Sequence, residues 1–117
     1  MNAINLQKKI DLLDYCDARV NYLNCNYFAD EITLAYDLDD TEVVYIFKGC
    51  YKSIFDHVKD YDKLRPVKEM TIPQIPYFIQ DVKIDSNIED GVSFYVCKMN
   101  VFPLYIEIWC KDIDVSR

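Results

Sequence analysis

Two runs of alternating apolar residues, separated by a pair of aspartates, constrain the fold of this chain more than any other feature. The runs are EITLAYDL, residues 31–38, and TEVVYIFK, residues 41–48. Apolar side chains recur at every second position: Ile32, Leu34, Tyr36, Leu38, Val43, Tyr45 and Phe47. Because successive side chains of a strand point to opposite faces, each run presents one apolar face. Asp39-Asp40 between them predicts a tight β-turn, since Asp tolerates positive φ and hydrogen-bonds its own backbone.

Further runs of the same kind extend this hairpin into a sheet. The predicted strands cover residues 18–28, 77–85, 92–99 and 103–111. SNIEDG, residues 86–91, predicts a turn with Gly91 at positive φ. In the last run, Leu104, Ile106, Ile108 and Cys110 alternate with Tyr105, Glu107, Trp109 and Lys111. The short connections predict hairpins and therefore a mostly antiparallel sheet.

Two segments have helical rather than alternating spacing. Residues 3–15 carry an apolar stripe, and residues 50–63 place Tyr51, Ile54, Phe55, Val58 and Tyr61 at intervals of three and four, with Gly49 as the break before them. The predicted fold class is α+β, a mostly antiparallel sheet of about six strands with two helices in the order αβββαβββ. Residues 1–117 are expected to form a single α+β domain, because 117 residues suit one core.

Charge and hydropathy exclude several classes of partner. The formal net charge is −7 and the sequence pI is about 4.5. Nucleic-acid binding and anionic membrane surfaces are therefore disfavoured, because both depend on Lys and Arg. We find no apolar run long enough for a transmembrane helix, and the N-terminus lacks the apolar block of a signal peptide. A cytosolic protein is the expectation.

Catalytic and metal-binding motifs are missing from the sequence. The chain has one histidine, His57, two glycines and five cysteines without C-x-x-C spacing. The sequence therefore contains no glycine-rich phosphate-binding loop, and it has no zinc-binding motif of histidines or cysteines. DLDDTE, residues 37–42, is a weak calcium candidate, because it lacks the EF-hand glycine and has flanking strands instead of helices. We predict no enzyme, no catalytic residue, no metal and no cofactor.

Acidic and aromatic residues instead predict a protein-binding surface. Acidic residues cluster in two stretches, 30–42 and 81–90. Tyr and Trp are frequent interface anchors, although a helix covering the last strand would make these rings part of the core. The predicted partner-binding residues are Asp37, Asp39, Asp40, Glu42, Asp81, Asp85, Tyr105, Glu107 and Trp109. If both stretches lie on one side, they form a negative pole suited to a basic partner.

The first fifty residues resemble the opening of small bacterial immunity proteins found in polymorphic-toxin and contact-dependent growth inhibition loci. The similarity lies in LLDYCDARV, followed by the paired strands EITLAYDL and EVVYIFKGC. Asp17-Ala18-Arg19-Val20 matches the D-A-x-V part of an H-D-A-x-V motif, with Cys16 in place of the histidine, and Phe47-Lys48-Gly49-Cys50 is similar to a later element.

This resemblance implies a cytosolic protein that binds and neutralises one cognate toxin and has no chemistry of its own. With the acidic clusters, it predicts occlusion of the active site of a toxin domain, with a nuclease as the candidate activity. The alternative is a small cytosolic enzyme or ligand-binding domain with a carboxylate-lined pocket that includes His57. A structural subunit that self-associates is a third possibility.

Overall fold

A computed structural model describes residues 2–59 and 66–117, which form one α-helix and six strands. The helix is α1 (Ala3–Asp11), and the strands are β1 (Val20–Asn26), β2 (Glu31–Leu38), β3 (Thr41–His57), β4 (Asp81–Glu89), β5 (Val92–Val101) and β6 (Leu104–Ser116). Two short 3-10 turns, Val67–Glu69 and Ile72–Gln74, precede β4. Neighbouring strands pair antiparallel in the order β1-β2-β3-β6-β5-β4. The mostly antiparallel six-stranded sheet is therefore confirmed.

Two-residue turns close two of the hairpins. Leu38 pairs with Thr41, so Asp39-Asp40 forms the predicted turn, with Asp39 at φ +54°. The second turn is shorter than predicted, because β4 continues through residues 86–89 and only Asp90-Gly91 reverses the chain. Both of its residues have positive φ, which matches the preference of tight hairpins for Asp-Gly.

The predicted second helix is wrong: residues 50–57 are the second half of β3, and residues 60–63 lie outside the described residues. The register of β3 against β6 shifts between Cys50 and Lys52. Cys50 and Ser53 consequently pair with Cys110 and Ile108, two residues on one face of β6. Positions that share a face of β3 are here three residues apart instead of two, which imitates helical spacing.

A bend in the central pair β3–β6 lets the sheet curve around its core. In β6 the buried positions are 104, 106, 108 and 110, and then 113 and 115, with two consecutive exposed residues between them. The partner strand carries Gly49 at this point, with φ +60°. A Cβ atom on Gly49 would lie 3.0 Å from both Cβ and Cγ of Lys111, so the two strands approach closely at the bend.

The inner side of the curved sheet forms the core together with α1. Leu6 and Ile10 of the helix are buried against strand residues that include Tyr36, Tyr45 and Phe47. Burial raises the pKa of Tyr45, whose ring meets that of Tyr36 edge to face at 5.8 Å between centroids. The Tyr36 hydroxyl donates to the Leu13 carbonyl at 2.8 Å, which fixes the chain leaving the helix.

Helix α1 also covers the edge of β4. The Gln7 side-chain amide donates to the Val82 carbonyl at 2.9 Å and accepts from the Ile84 N–H at 2.6 Å. One side chain therefore satisfies a donor and an acceptor that an additional strand would otherwise pair. Elsewhere the segments that precede β1 and β4 meet, through a bridge between Arg19 and Phe78.

No helix within residues 2–59 and 66–117 has the length and apolarity needed to cross a membrane.

Gly49→Ala tests the bend. We expect it to lower the free energy of unfolding by about 2–3 kcal/mol, because an alanine there combines a left-handed backbone with overpacking against Lys111. Gly91→Ala is the matched control: φ is +79°, and nothing lies within 4 Å of the added Cβ. Its expected cost is about 1 kcal/mol. Urea denaturation measures both, and equal losses would contradict the close approach at the bend.

Candidate interaction surfaces

Carboxylates collect on the outer side of the sheet around the β2–β3 hairpin. We call this surface the acidic face; it comprises Glu31, Asp37, Asp39, Asp40, Glu42, Asp112 and Asp114. The hairpin supplies five of them, including the four predicted partner-binding residues at positions 37–42. Asp112 and Asp114 come from β6, whose C-terminal half pairs with the first half of β3. The fold therefore enlarges the predicted cluster with residues distant in sequence.

Asp37 and Glu42 are directly opposite each other in the β2–β3 ladder. Two like charges in this position destabilise a sheet by roughly 0.2–1 kcal/mol. The Asn21 side-chain amide lies beside both and donates to Asp37 Oδ1 at 2.9 Å and to Glu42 Oε2 at 3.1 Å. A neutral amide orients the two carboxylates but leaves their charges in place.

Two basic residues contact the acidic face at its margins. Lys48 Nζ lies 2.5 Å from Asp114 Oδ2, and this hydrogen bond raises the pKa of the lysine. Arg117 Nη2 lies 3.5 Å from Asp39 Oδ2, while its Nε donates to the Thr41 hydroxyl at 2.8 Å. Seven carboxylates against two cations leave the face with a formal charge of about −5, most of the net charge of the chain.

A second surface follows on the same outer side, along the first half of β6. The predicted residues Tyr105, Glu107 and Trp109 all point outward there, since the residues between them are buried. Helix α1 lies on the inner side, where Leu6 and Ile10 join the core. The alternative in which a helix covers the Tyr and Trp rings is therefore wrong for the described residues.

Sequence reasoning missed two aromatic residues near Trp109: Phe94 beside it, and Tyr51 beside Phe94. Phe94 of β5 lies 6.5 Å from Trp109 between ring centroids, and Tyr51 of β3 stacks on Phe94 at 4.9 Å. Lys52 Nζ lies 5.1 Å from the Trp109 ring, and Lys111 Nζ lies 4.9 Å from the Phe94 ring. We call the seven residues Tyr51, Lys52, Phe94, Tyr105, Glu107, Trp109 and Lys111 the aromatic face. Tyr51 was missed because its segment resembled a helix.

Glu107 organises the aromatic face through two hydrogen bonds. Trp109 Nε1 donates to Glu107 Oε2 at 2.9 Å, and the Tyr105 hydroxyl donates to Oε1 at 3.0 Å. The bond from Trp109 is the main reason that the pKa of Glu107 is lowered. The pKa of Tyr105 is raised, mainly because its hydroxyl is partly desolvated and secondly because it is hydrogen-bonded to the Glu107 carboxylate. The polar atoms of both rings are thus already engaged within the chain.

The remaining predicted residues, Asp81 and Asp85, lie on β4 at the far edge of the sheet. Asp81 is in register with Tyr105 through Asn100, and Asp85 is in register with Trp109 through Val96. They therefore border the aromatic face and are separated from the β2–β3 hairpin by β5 and β6. The two acidic stretches do not merge into one pole.

Among the described residues, the cavity that His57 lines is not the carboxylate-lined pocket expected for an enzyme or ligand-binding domain. His57 Nε2 lies 2.9 Å from the Tyr77 hydroxyl and lines a cavity of about 280 Å³. Among the described residues that line this cavity, most are apolar and none is a carboxylate. Within the described part of the chain, no group of three or more His, Cys, Asp or Glu residues is placed to hold a metal ion.

Glu107→Gln tests the carboxylate at the centre of the aromatic face. We expect a loss of about 1 kcal/mol in the free energy of unfolding at pH 7, because Trp109 and Tyr105 both lose a charged acceptor and glutamine offers one neutral acceptor oxygen in its place. The folded-state pKa of Glu107 is lowered, so its contribution exists above the unfolded pKa and disappears as the pH falls through the folded value. The difference from wild type should therefore vanish well below about pH 4.

Urea denaturation followed by the fluorescence of Trp109, the only tryptophan, measures this difference. Glu69→Gln, at an exposed position in a 3-10 turn, is the control. A loss for Glu107→Gln that stays constant from pH 7 to pH 3 would argue against the carboxylate as its source.

Comparison with protein-family models matches residues 2–117 to a family described as Immunity protein PIM7. The match includes the helix, all six strands and both surfaces described above. No curated protein matches the chain. The family match extends the resemblance to immunity proteins from the first fifty residues to almost the whole sequence. The chain belongs to the PIM7 family of immunity proteins.

Proposed function

We propose that this protein binds a cognate toxin domain through the acidic face and neutralises it in the cytosol by covering the toxin's active site. Family membership supports toxin neutralisation in general. The observation that carries the specific proposal is the acidic face, on which seven carboxylates outnumber two cations. A surface of one charge sign accelerates encounter with a partner of the opposite sign and selects against other partners.

The opposed pair Asp37 and Glu42 is the strongest part of this argument. The turn between β2 and β3 favours residues such as Asp at positions 39 and 40, but it gives no reason for acidic residues at the flanking positions. Placing two carboxylates opposite each other reduces stability, and Asn21 holds them in that arrangement. A basic partner offsets this cost, because Lys and Arg side chains would separate and pair the two charges.

The mechanism is occlusion and needs no chemistry from this chain. A nuclease binds phosphates with Lys and Arg around its active site, and a carboxylate can occupy the same side chains. Bidentate pairs with arginine would fix the orientation of the bound toxin. An acidic inhibitor of this kind competes with nucleic acid for the cleft and blocks substrate access.

Asp81 and Asp85, with Tyr105, Glu107 and Trp109, remain predicted contact residues on the adjoining surface. The protein extends 45 Å along its longest axis. A standard interface covers about 800 Å² on each partner, a patch roughly 30 Å across. One partner of that size would cover the acidic face and reach only part of the aromatic face.

Reversing the opposed pair tests the docking surface. Asp37→Lys with Glu42→Lys keeps a like-charged pair in the ladder but changes its sign. We expect association with the toxin domain encoded beside this chain's gene to slow by about 10–100-fold at low salt, and its salt dependence to weaken. Stopped-flow or surface plasmon resonance measurements give both quantities.

Asp11→Lys with Glu69→Lys is the matched control. It makes the same change in net charge at positions outside both surfaces. The control should retain most of the association rate and should protect cells that produce the toxin, whereas the reversed pair should protect them poorly. Equal rates for the two double variants would exclude the acidic face as the docking surface.

A further inference from the structure

The turn between β1 and β2 has an unusual backbone. Tyr27, Phe28 and Ala29 are consecutive residues with φ of +53°, +57° and +66°. Left-handed conformations are unfavourable for residues with a Cβ atom, and Gly or Asn usually occupies them. Three in succession without either residue make a short left-handed turn, in which strain is stored at a defined place in the fold.

Backbone hydrogen bonds hold this turn in place. The Asp30 N–H donates to the Tyr27 carbonyl at 3.1 Å and closes the turn. The Asp30 carbonyl in turn accepts from the Cys50 N–H at 3.0 Å, beside the bend at Gly49. These bonds fix the backbone of the turn to the central strand β3.

Both aromatic side chains of the turn face solvent. Phe28 has a relative exposure of 108% and Tyr27 has one of 74%. The aromatic rings of Trp109 and Phe94, in contrast, are packed and covered by lysines. A fully exposed phenylalanine on a fixed, strained turn has no role in the core and is typical of residues that become buried on binding.

Charge around the turn indicates what it binds. Residues 20–47 contain no Lys or Arg, and Asp30 and Glu31 directly follow the turn. Glu31 pairs with Lys48 at the end of the acidic face, so the turn and the acidic face are continuous. A second copy of this chain would bring like charges together, and an anionic membrane would be repelled.

We propose that Phe28, with Tyr27 beside it, is the apolar anchor of the interface and enters an apolar pocket with a basic rim on the toxin. This inference rests on the proposed function, and it assigns different kinetic roles to two parts of the interface. The acidic face governs the rate of association, whereas the anchor governs the rate of dissociation. The fixed turn lowers the entropy lost on binding, because the backbone that carries the two aromatic rings is already ordered before contact.

Phe28→Ala tests the anchor against the toxin domain encoded beside this chain's gene. We expect dissociation to become about 30-fold faster, the effect of a hot-spot residue, with little change in the association rate. Leu12→Ala truncates another exposed apolar side chain, 83% exposed at the end of α1, and this variant should dissociate like wild type. Unchanged dissociation of Phe28→Ala would overturn the anchor.

Two further measurements distinguish the alternatives. Ala29→Gly keeps both rings and removes the strain of a left-handed alanine. We therefore expect a higher urea midpoint and wild-type dissociation; a lower midpoint would contradict the turn geometry.

Sedimentation of wild type and Phe28→Ala should show equal monomeric behaviour. A dimer that is lost in Phe28→Ala would assign the turn to self-association. Failure of wild type to bind the toxin domain would instead reject the proposed function.

Discussion

The pairing of β3 with β6 is the interaction on which the rest of this structure depends. It joins an N-terminal meander, β1 to β3, to a C-terminal meander, β4 to β6, and makes one continuous sheet of the two. Both strands are long, with 17 and 13 residues, and both change their pattern of inward side chains near Gly49. Without the bend, the two halves of the sheet could not direct their apolar side chains to the same core.

The same pairing creates both outer surfaces. Asp112 and Asp114 reach the β2–β3 hairpin only because the end of β6 runs beside the start of β3. Tyr51 and Lys52 reach the Phe94 and Trp109 rings because the other ends of the two strands also pair. A charged surface and an aromatic surface therefore follow one another along two strands, and the bend at Gly49 lies between them.

Sequence patterns predicted most local structure and little of the long-range pairing. Alternation in residues 31–48 with Asp39-Asp40 between the runs was sufficient for the β2–β3 hairpin, and the Asp-Gly pair marked a second turn. The second half of β3 was missed because an extra residue near Cys50 breaks the period of two. The Asp37 and Glu42 cluster could be predicted locally. Asp112 could not be assigned to it, because nothing in the sequence indicates which strand lies beside β3.

The contact between Gln7 and β4 has a consequence for whether the edge of the sheet can pair with another chain. The Gln7 side-chain amide makes the two hydrogen bonds that one residue of a neighbouring strand would make. Gln7 is held at this edge by α1, a helix of nine residues. Unfolding of α1 would leave the Val82 carbonyl and the Ile84 N–H without these partners and available to an extended chain nearby. The N-terminal helix therefore covers part of the β4 edge, and removing it would leave that edge open to pairing with another extended chain.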